Sequence, residues 1–162
     1  QGGGDAATLE PLHEHLFEYK THMMQNYGTG VQACYRGPRL YDTPETQAAV
    51  TEVIQWYKKY RNILNSDMIH LRRPDARDWD GFIHVNPHKK EKGLAMFFNP
   101  THQEITRTIH IPLYYTGLTQ TARIREKEQK PVTYKLNRDY TVELTVKIPA
   151  NGDTWYVVEA AD

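Results

Sequence analysis

The stretch YTVELTVKIP, from Tyr140 to Pro149, alternates without interruption. Thr141, Glu143, Thr145 and Lys147 take one parity, and Val142, Leu144, Val146 and Ile148 take the other. Successive side chains of a strand point to opposite faces, so this segment has one wet face and one core face. A strand of a parallel sheet is covered on both sides and shows no such alternation, so the pattern belongs to an antiparallel sheet over a single core.

Similar short runs lie on either side of it. MIHLR begins at Met68, GFIHVN at Gly81, GLAMFFN at Gly93 and ITRTIHIP at Ile105. ARIRE begins at Ala122, VTYKL at Val132 and TWYVVEA at Thr154. They are rich in β-branched and aromatic residues, and Gly, Pro, Asn or Asp punctuates them every ten residues or so. That spacing predicts an antiparallel β-sandwich over 67–162.

Before Asp67 the period changes. Leu9, Leu12, Leu16, Tyr19 and Met23 recur at three- and four-residue steps, which predicts a helix with Thr8 as its N-cap, Pro11 in its first turn and Gly28 as its stop. A longer helix follows. Thr43 can cap it, Pro44 suits its first position and Glu45 favours its positive end. Ala49, Val53, Trp56, Tyr57, Tyr60 and Leu64 line one face, and Asn65-Ser66-Asp67 ends it. Between the helices, GVQAC (30–34) reads as a strand and YRGPRLYD (35–42) as a loop. The fold class is therefore mainly β with N-terminal helices: an antiparallel sandwich preceded by a helix–strand/loop–long helix segment. Helices that precede strands instead of alternating with them exclude a doubly wound fold. The expected layout is a flexible tail over 1–7 (QGGGDAA), the helical segment over 8–66 and the sandwich over 67–162. Tyr19, Tyr27, Tyr57 and Tyr60 give the helices more apolar surface than one sandwich edge would use, so a further partner is expected there.

Lys plus Arg and Asp plus Glu each number 20, for a formal net charge of zero. A nucleic-acid binder draws most of its affinity from a basic excess, so no nucleic-acid partner is expected. The most basic windows, 89–92 and 123–130, are diluted by glutamates. No apolar run approaches the ~20 residues of a membrane-spanning helix, and no membrane association is expected. The single cysteine, Cys34, excludes an internal disulfide and a cysteine-built zinc site; it reads as a small buried hydrophobe.

The eight histidines invite a metal reading. His13 and His15, two apart on a helix, point to opposite sides and do not form H-E-x-x-H. His15, Glu18 and His22 share a face but read more simply as polar helix surface. His70, His84 and His110 lie in strand patterns, as sandwich surface or satisfied core. No metal or cofactor is expected.

WYKKYRNILNSDMIHLRRPDARDWDGFIHVNPHKKEKGLAMFFNPTHQEITRTIHIPLYYTGL, from Trp56 to Leu118, resembles the end of bacterial α-galactosidase-like (melibiase group) glycoside hydrolases. In these a (β/α)8 barrel closes with a long helix of pattern W-x-K-x-x-R-x-x-L, followed by an antiparallel sandwich. Trp56, Arg61 and Leu64 match the helix. His70, Leu71, Trp79, Gly81, Gly93 to Met96, Asn99, Pro100 and Tyr115 to Leu118 match the sandwich phrases. The resemblance spans roughly Gly30 to Glu159.

The resemblance implies that GVQAC is the last barrel strand and YRGPRLYD its βα loop, at the strand end where barrel active sites sit. Tyr35, Arg36, Arg39 and Asp42 would then stand at the rim of a sugar site as substrate-binding residues. The alternative is that the arginines hold the loop by pairing with Asp42 or with backbone carbonyls. Trp79, flanked by Asp75, Asp78 and Asp80 in PDARDWDG, is a further sugar-contact candidate, though turn chemistry accounts for the acids equally well. Retaining glycosidases use two carboxyl groups about 5–5.5 Å apart. The resemblance puts both on earlier barrel strands, so no catalytic residue is assigned here and the chain alone is expected to be inactive. The expected partners are carbohydrate and the remainder of a barrel, in the same or a separate chain. The family favours a secreted or periplasmic setting. The rival reading is a free-standing carbohydrate-binding module with Trp79, Tyr114, Tyr115 and Trp155 as an aromatic platform.

Overall fold

The structure, a computed structural model, describes residues 11–30 and 40–161. The expected tail 1–7, the Thr8 cap, all of the GVQAC strand after Gly30 (Cys34 included), and residues 35–39 of the YRGPRLYD loop lie outside the described residues. The chain divides into two compact units, Gln1–Arg61 and Asn62–Asp162.

In the first unit the expected helix starts late: Pro11 is extended (ψ 139) instead of lying in a first helical turn, a 3-10 turn follows at Leu12–Glu14, and α1 runs only over Leu16–Gly28. α2 spans Pro44–Leu64, running past the division. Leu12, Tyr19, Met23 and Met24 are buried, as are Ala49, Val50, Val53, Trp56 and Tyr60 along α2. These residues keep the three- and four-residue steps of a stripe facing a core. The two helices are joined by ring contact between Tyr27 and Tyr57, centroids 5.0 Å apart, and by a 2.9 Å ion pair from Lys20 Nζ to Glu52. The Tyr19 hydroxyl donates to the Leu40 carbonyl, 2.8 Å away.

The second unit holds all eight expected strands, with ends shifted by a residue or two: β1 (Asp67–Arg72), β2 (Asp80–Val85), β3 (Glu91–Phe98), β4 (Ile105–Pro112), β5 (Thr121–Glu126), β6 (Val132–Lys135), β7 (Thr141–Ile148) and β8 (Asp153–Glu159). They form a lopsided sandwich. One sheet has six strands in the order β1-β2-β3-β8-β5-β6, and the other is the pair β4-β7. Every pairing is antiparallel. The chain crosses to the small sheet for β4, returns for β5 and β6, crosses again for β7, and ends in the large sheet with β8 between β3 and β5.

The core lies between the sheets. Ile109, Ile111, Val142, Leu144, Val146 and Ile148 come from β4-β7, and Ile83, Val85, Ala95, Phe97, Ile124, Tyr156 and Val158 meet them from the large sheet. β7 alternates between exposed and buried, as its sequence requires. β2, β3 and β8 differ, because after their first residues they are buried almost continuously. Their second face, with Phe82, His84, Leu94, Met96, Phe98, Trp155 and Val157, is covered as well. Trp155, 6% exposed, is therefore not part of any surface platform. Two glycines are set by close approach. A Cβ on Gly81 would stand 2.6 Å from the Met96 carbonyl oxygen, and one on Gly93 3.2 Å from the Val158 Cβ.

Candidate functional site

The foot of the expected rim loop is described from Leu40 onward. Thr43 caps α2. Its carbonyl accepts the Gln47 N–H at 3.0 Å, and its hydroxyl accepts the Thr46 N–H at 3.3 Å. Thr46, fully buried, reciprocates. Its hydroxyl oxygen accepts the N–H of Thr43 at 2.9 Å and of Asp42 at 3.0 Å. This is the logic of a capping box, with threonine in place of the usual Glu or Gln.

The Thr46 hydroxyl also lies 3.0 Å from Asp42 Oδ1. The other oxygen, Oδ2, accepts the His13 backbone N–H at 3.1 Å and lies 2.7 Å from His13 Nδ1. The Asp42 side chain is 3% exposed and that of His13 49%. Burial works against ionisation of Asp42. The His13 ring, the His13 amide and the Thr46 hydroxyl outweigh it, and the pKa is held down at about 2. The positive end of α2 favours the same charge. Both Asp42 oxygens are thus engaged within the unit, tying the Leu12–Glu14 turn to the start of α2. Tyr35, Arg36 and Arg39 lie outside the described residues.

Trp79 stands in the β1–β2 loop, half-buried. Its ring is 5.9 Å from that of Phe97 and packs on the core. The acids beside it are engaged. Arg72 forks onto Asp75 at 3.2 and 2.7 Å and also donates to the Trp79 carbonyl at 2.6 Å. Asp75 accepts the N–H groups of Arg77 and Asp78. The Arg72 guanidinium, with these amides, holds the Asp75 carboxyl far below the usual range. Asp78 accepts the Trp79 N–H at 2.7 Å and Arg107 Nε at 3.2 Å. Asp80 is different, because burial pushes its carboxyl upward against the pull of Arg72. No group of three or more His, Cys, Asp or Glu among the described residues is arranged to hold a metal ion.

The other expectations separate by burial. His84 is core, 1% exposed, with Nδ1 3.2 Å from the Ser66 carbonyl, whereas His70 and His110 are exposed. His15 and Glu18 pair loosely at 3.6 Å. Tyr114 and Tyr115 stand out in water. Neither the pairing of His13 with Asp42 nor the reciprocal cap by Thr46 was among the expectations. The Thr43–Thr46 spacing carried a signal for the second, but the His13–Asp42 pair spans 29 residues and leaves no local trace.

The chain matches no protein-family model and no curated protein. Its fold is similar to that of several solved glycoside hydrolases. A GH27 β-L-arabinopyranosidase from Geobacillus stearothermophilus matches with a TM-score of 0.61 at 11% identity, over 90% of this chain and 31% of that one. α-Galactosidase I from Mortierella vinacea matches at 0.58 and 10%, over 88% of this chain and 35% of its own. An α-amylase from Geobacillus thermoleovorans matches at 0.55 and 12%, over 90% and 34%. This chain spans about a third of the length of each, and at these identities the likeness is one of fold.

Proposed function

We propose that this chain is the terminal part of a carbohydrate-active, glycoside-hydrolase-like protein, comprising the last βα segment of a barrel and the sandwich that follows it. Its work is to close the barrel and shape one edge of the sugar site, without supplying the catalytic carboxylates. The observation that carries the reading is coverage. A match over nine-tenths of this chain cannot be filled by the sandwich unit alone, so the helical segment is matched too, in enzymes about three times as long. Three exposed apolar side chains of the first unit, Phe17, Leu40 and Tyr41, suit a unit with a further surface to cover. On this reading Tyr35, Arg36 and Arg39 edge the sugar site, and Asp42, its side chain buried with both oxygens engaged, holds the foot of their loop. Trp79, in the other unit, is a separate candidate for sugar contact.

The test is turnover. The isolated chain is incubated with chromogenic α- and β-galactosides and glucosides between pH 4 and 8, and none should be hydrolysed. Turnover that vanishes when one acid of this chain is changed would overturn the reading. In a protein carrying the barrel, Arg36→Ala should lower kcat/KM by roughly ten- to a hundredfold, the size of a lost charge-assisted contact. A fallen melting point with normal kinetics would make Arg36 a clamp of the loop.

A further inference from the structure

Tyr114 and Tyr115 are the most exposed large apolar side chains among the described residues, at 61% and 63%. Both sit in the single 3-10 turn that follows β4, closed by Gly117 in the left-handed region at φ 79. The Thr116 hydroxyl donates to the Leu113 carbonyl at 2.6 Å and fixes the turn. The two rings stand nearly perpendicular, at 89°, with centroids 5.1 Å apart. A third ring, Tyr140, meets Tyr114 edge-on at 5.4 Å.

Tyr140 is held in an uncommon way. Its φ is 63, a conformation that glycine or asparagine adopts easily and a bulky residue seldom does. The backbone enforces it: the Tyr140 carbonyl accepts the Leu113 N–H at 2.9 Å, and its N–H donates to Asn137 at 2.9 Å. The two turns are thereby laced together and the three rings are fixed before any ligand arrives. Beside them Asp139 accepts the Thr141 hydroxyl at 2.6 Å and the Thr141 N–H at 3.2 Å. Asp139 is exposed and directly precedes Tyr140 in the chain.

We propose that Tyr114, Tyr115 and Tyr140, with Asp139, form a binding platform for a neutral saccharide chain. The face of a tyrosine ring is electron-rich and attracts the slightly positive C–H groups on the flat side of a pyranose, while the ring edge and hydroxyl stay wet. Rings at right angles offer two such faces, and the carboxylate accepts sugar hydroxyls beside them. The exposed neighbours Asn137 and Arg138 are polar, which suits a hydroxylated ligand better than an apolar protein surface. The inference leans on the proposed function only in taking carbohydrate as the ligand class, and it requires no barrel.

Native electrophoresis of the whole chain in gels containing galactomannan, arabinogalactan or soluble starch tests it. At least one polysaccharide should retard the chain relative to a plain gel. The double variant Tyr114→Ala/Tyr115→Ala should bind at least about tenfold more weakly while keeping a cooperative melt, because both side chains are more than half exposed. Asp139→Asn should weaken binding to a smaller degree. Equal migration of the wild-type chain in all four gels overturns the proposal, as does undiminished retardation of the double variant. Concentration-dependent migration in the plain gel that the double variant abolishes would give the patch to a second copy and overturn it too. Because no turnover is read, failure here is separable from failure of the glycosidase reading.

Discussion

The side-chain amide of Asn99 donates to the carbonyl of Ile148 across 49 residues, at 3.2 Å. The same amide reaches Pro149 at 3.1 Å and Gln103 at 2.7 Å. Its oxygen accepts the N–H and the hydroxyl of Thr101 at 2.9 and 2.7 Å. Asn99 is 2% exposed, so its removal strands several polar groups away from water. Asn99→Ala should cost about 2–4 kcal/mol, several times a single hydrogen bond. Asn99→Asp should be no better, because a carboxylate would present oxygen to three carbonyls. Urea unfolding of both variants checks this, and a near-wild-type Asp variant would show that the amide is not the donor.

At the start of α2 the two threonines are unequal. Thr43→Ala removes one long cap bond and should cost about 1 kcal/mol. Thr46→Val keeps the shape but leaves the N–H groups of Asp42 and Thr43 without their acceptor. A cost of about 2–3 kcal/mol is expected for two partly buried donors left unpaired. Thermal melts of the two variants should rank in that order, and the reverse order would make Thr43 the dominant cap.

Asp42 sets an acid limb. Its folded pKa, about 2, lies below the ordinary 3.8. The stabilisation from its charged form is therefore complete above the ordinary value and is lost as pH falls through the folded one. The melting temperature should accordingly decline between about pH 4 and pH 2, and Asp42→Asn should flatten that part of the decline. His13→Ala should remove part of it as well. Identical acid limbs in all three proteins would sink the assignment.

Gly81 and Gly93 offer a graded test of packing. A methyl at Gly81 would strike backbone, the Met96 carbonyl oxygen at 2.6 Å, whereas at Gly93 it would meet the Val158 side chain at 3.2 Å. Gly81→Ala should cost about 1–3 kcal/mol, as overpacking against atoms that cannot turn aside does. Gly93→Ala should be milder. Chemical denaturation midpoints measure the difference.

The fold was legible in the sequence because its signals are local. Alternation marked β7, cap chemistry marked the start of α2, and Gly and Pro marked the turns. The covered second face of β2, β3 and β8 was harder to see, because Phe82, His84 and Met96 do not break parity in a way that separates one buried face from two. The resemblance was carried by residues with structural work. Asn99 clasps two turns, Gly81 admits a carbonyl and Gly117 closes the Tyr114–Thr116 turn. Such residues report architecture and say little of substrate. The candidate site was less legible. The partners of Asp42 and Asp75 are chosen by folding, and the pairing of Tyr140 with Tyr114 spans two turns far apart in the chain.

The position of β8 has a consequence during synthesis. A ribosome releases β3 and the β5–β6 hairpin well before the strand that lies between them. Until Asp153–Glu159 has emerged, the nascent chain carries two open edges with main-chain groups free to pair with a neighbour. Pairings this far apart in sequence form slowly. The growing polypeptide is therefore a natural client for a chaperone that shields strand edges, and a stop codon ahead of Asp153 should yield insoluble material even though most of the sheet has been made. A circular permutant that supplies β8 first would remove that interval.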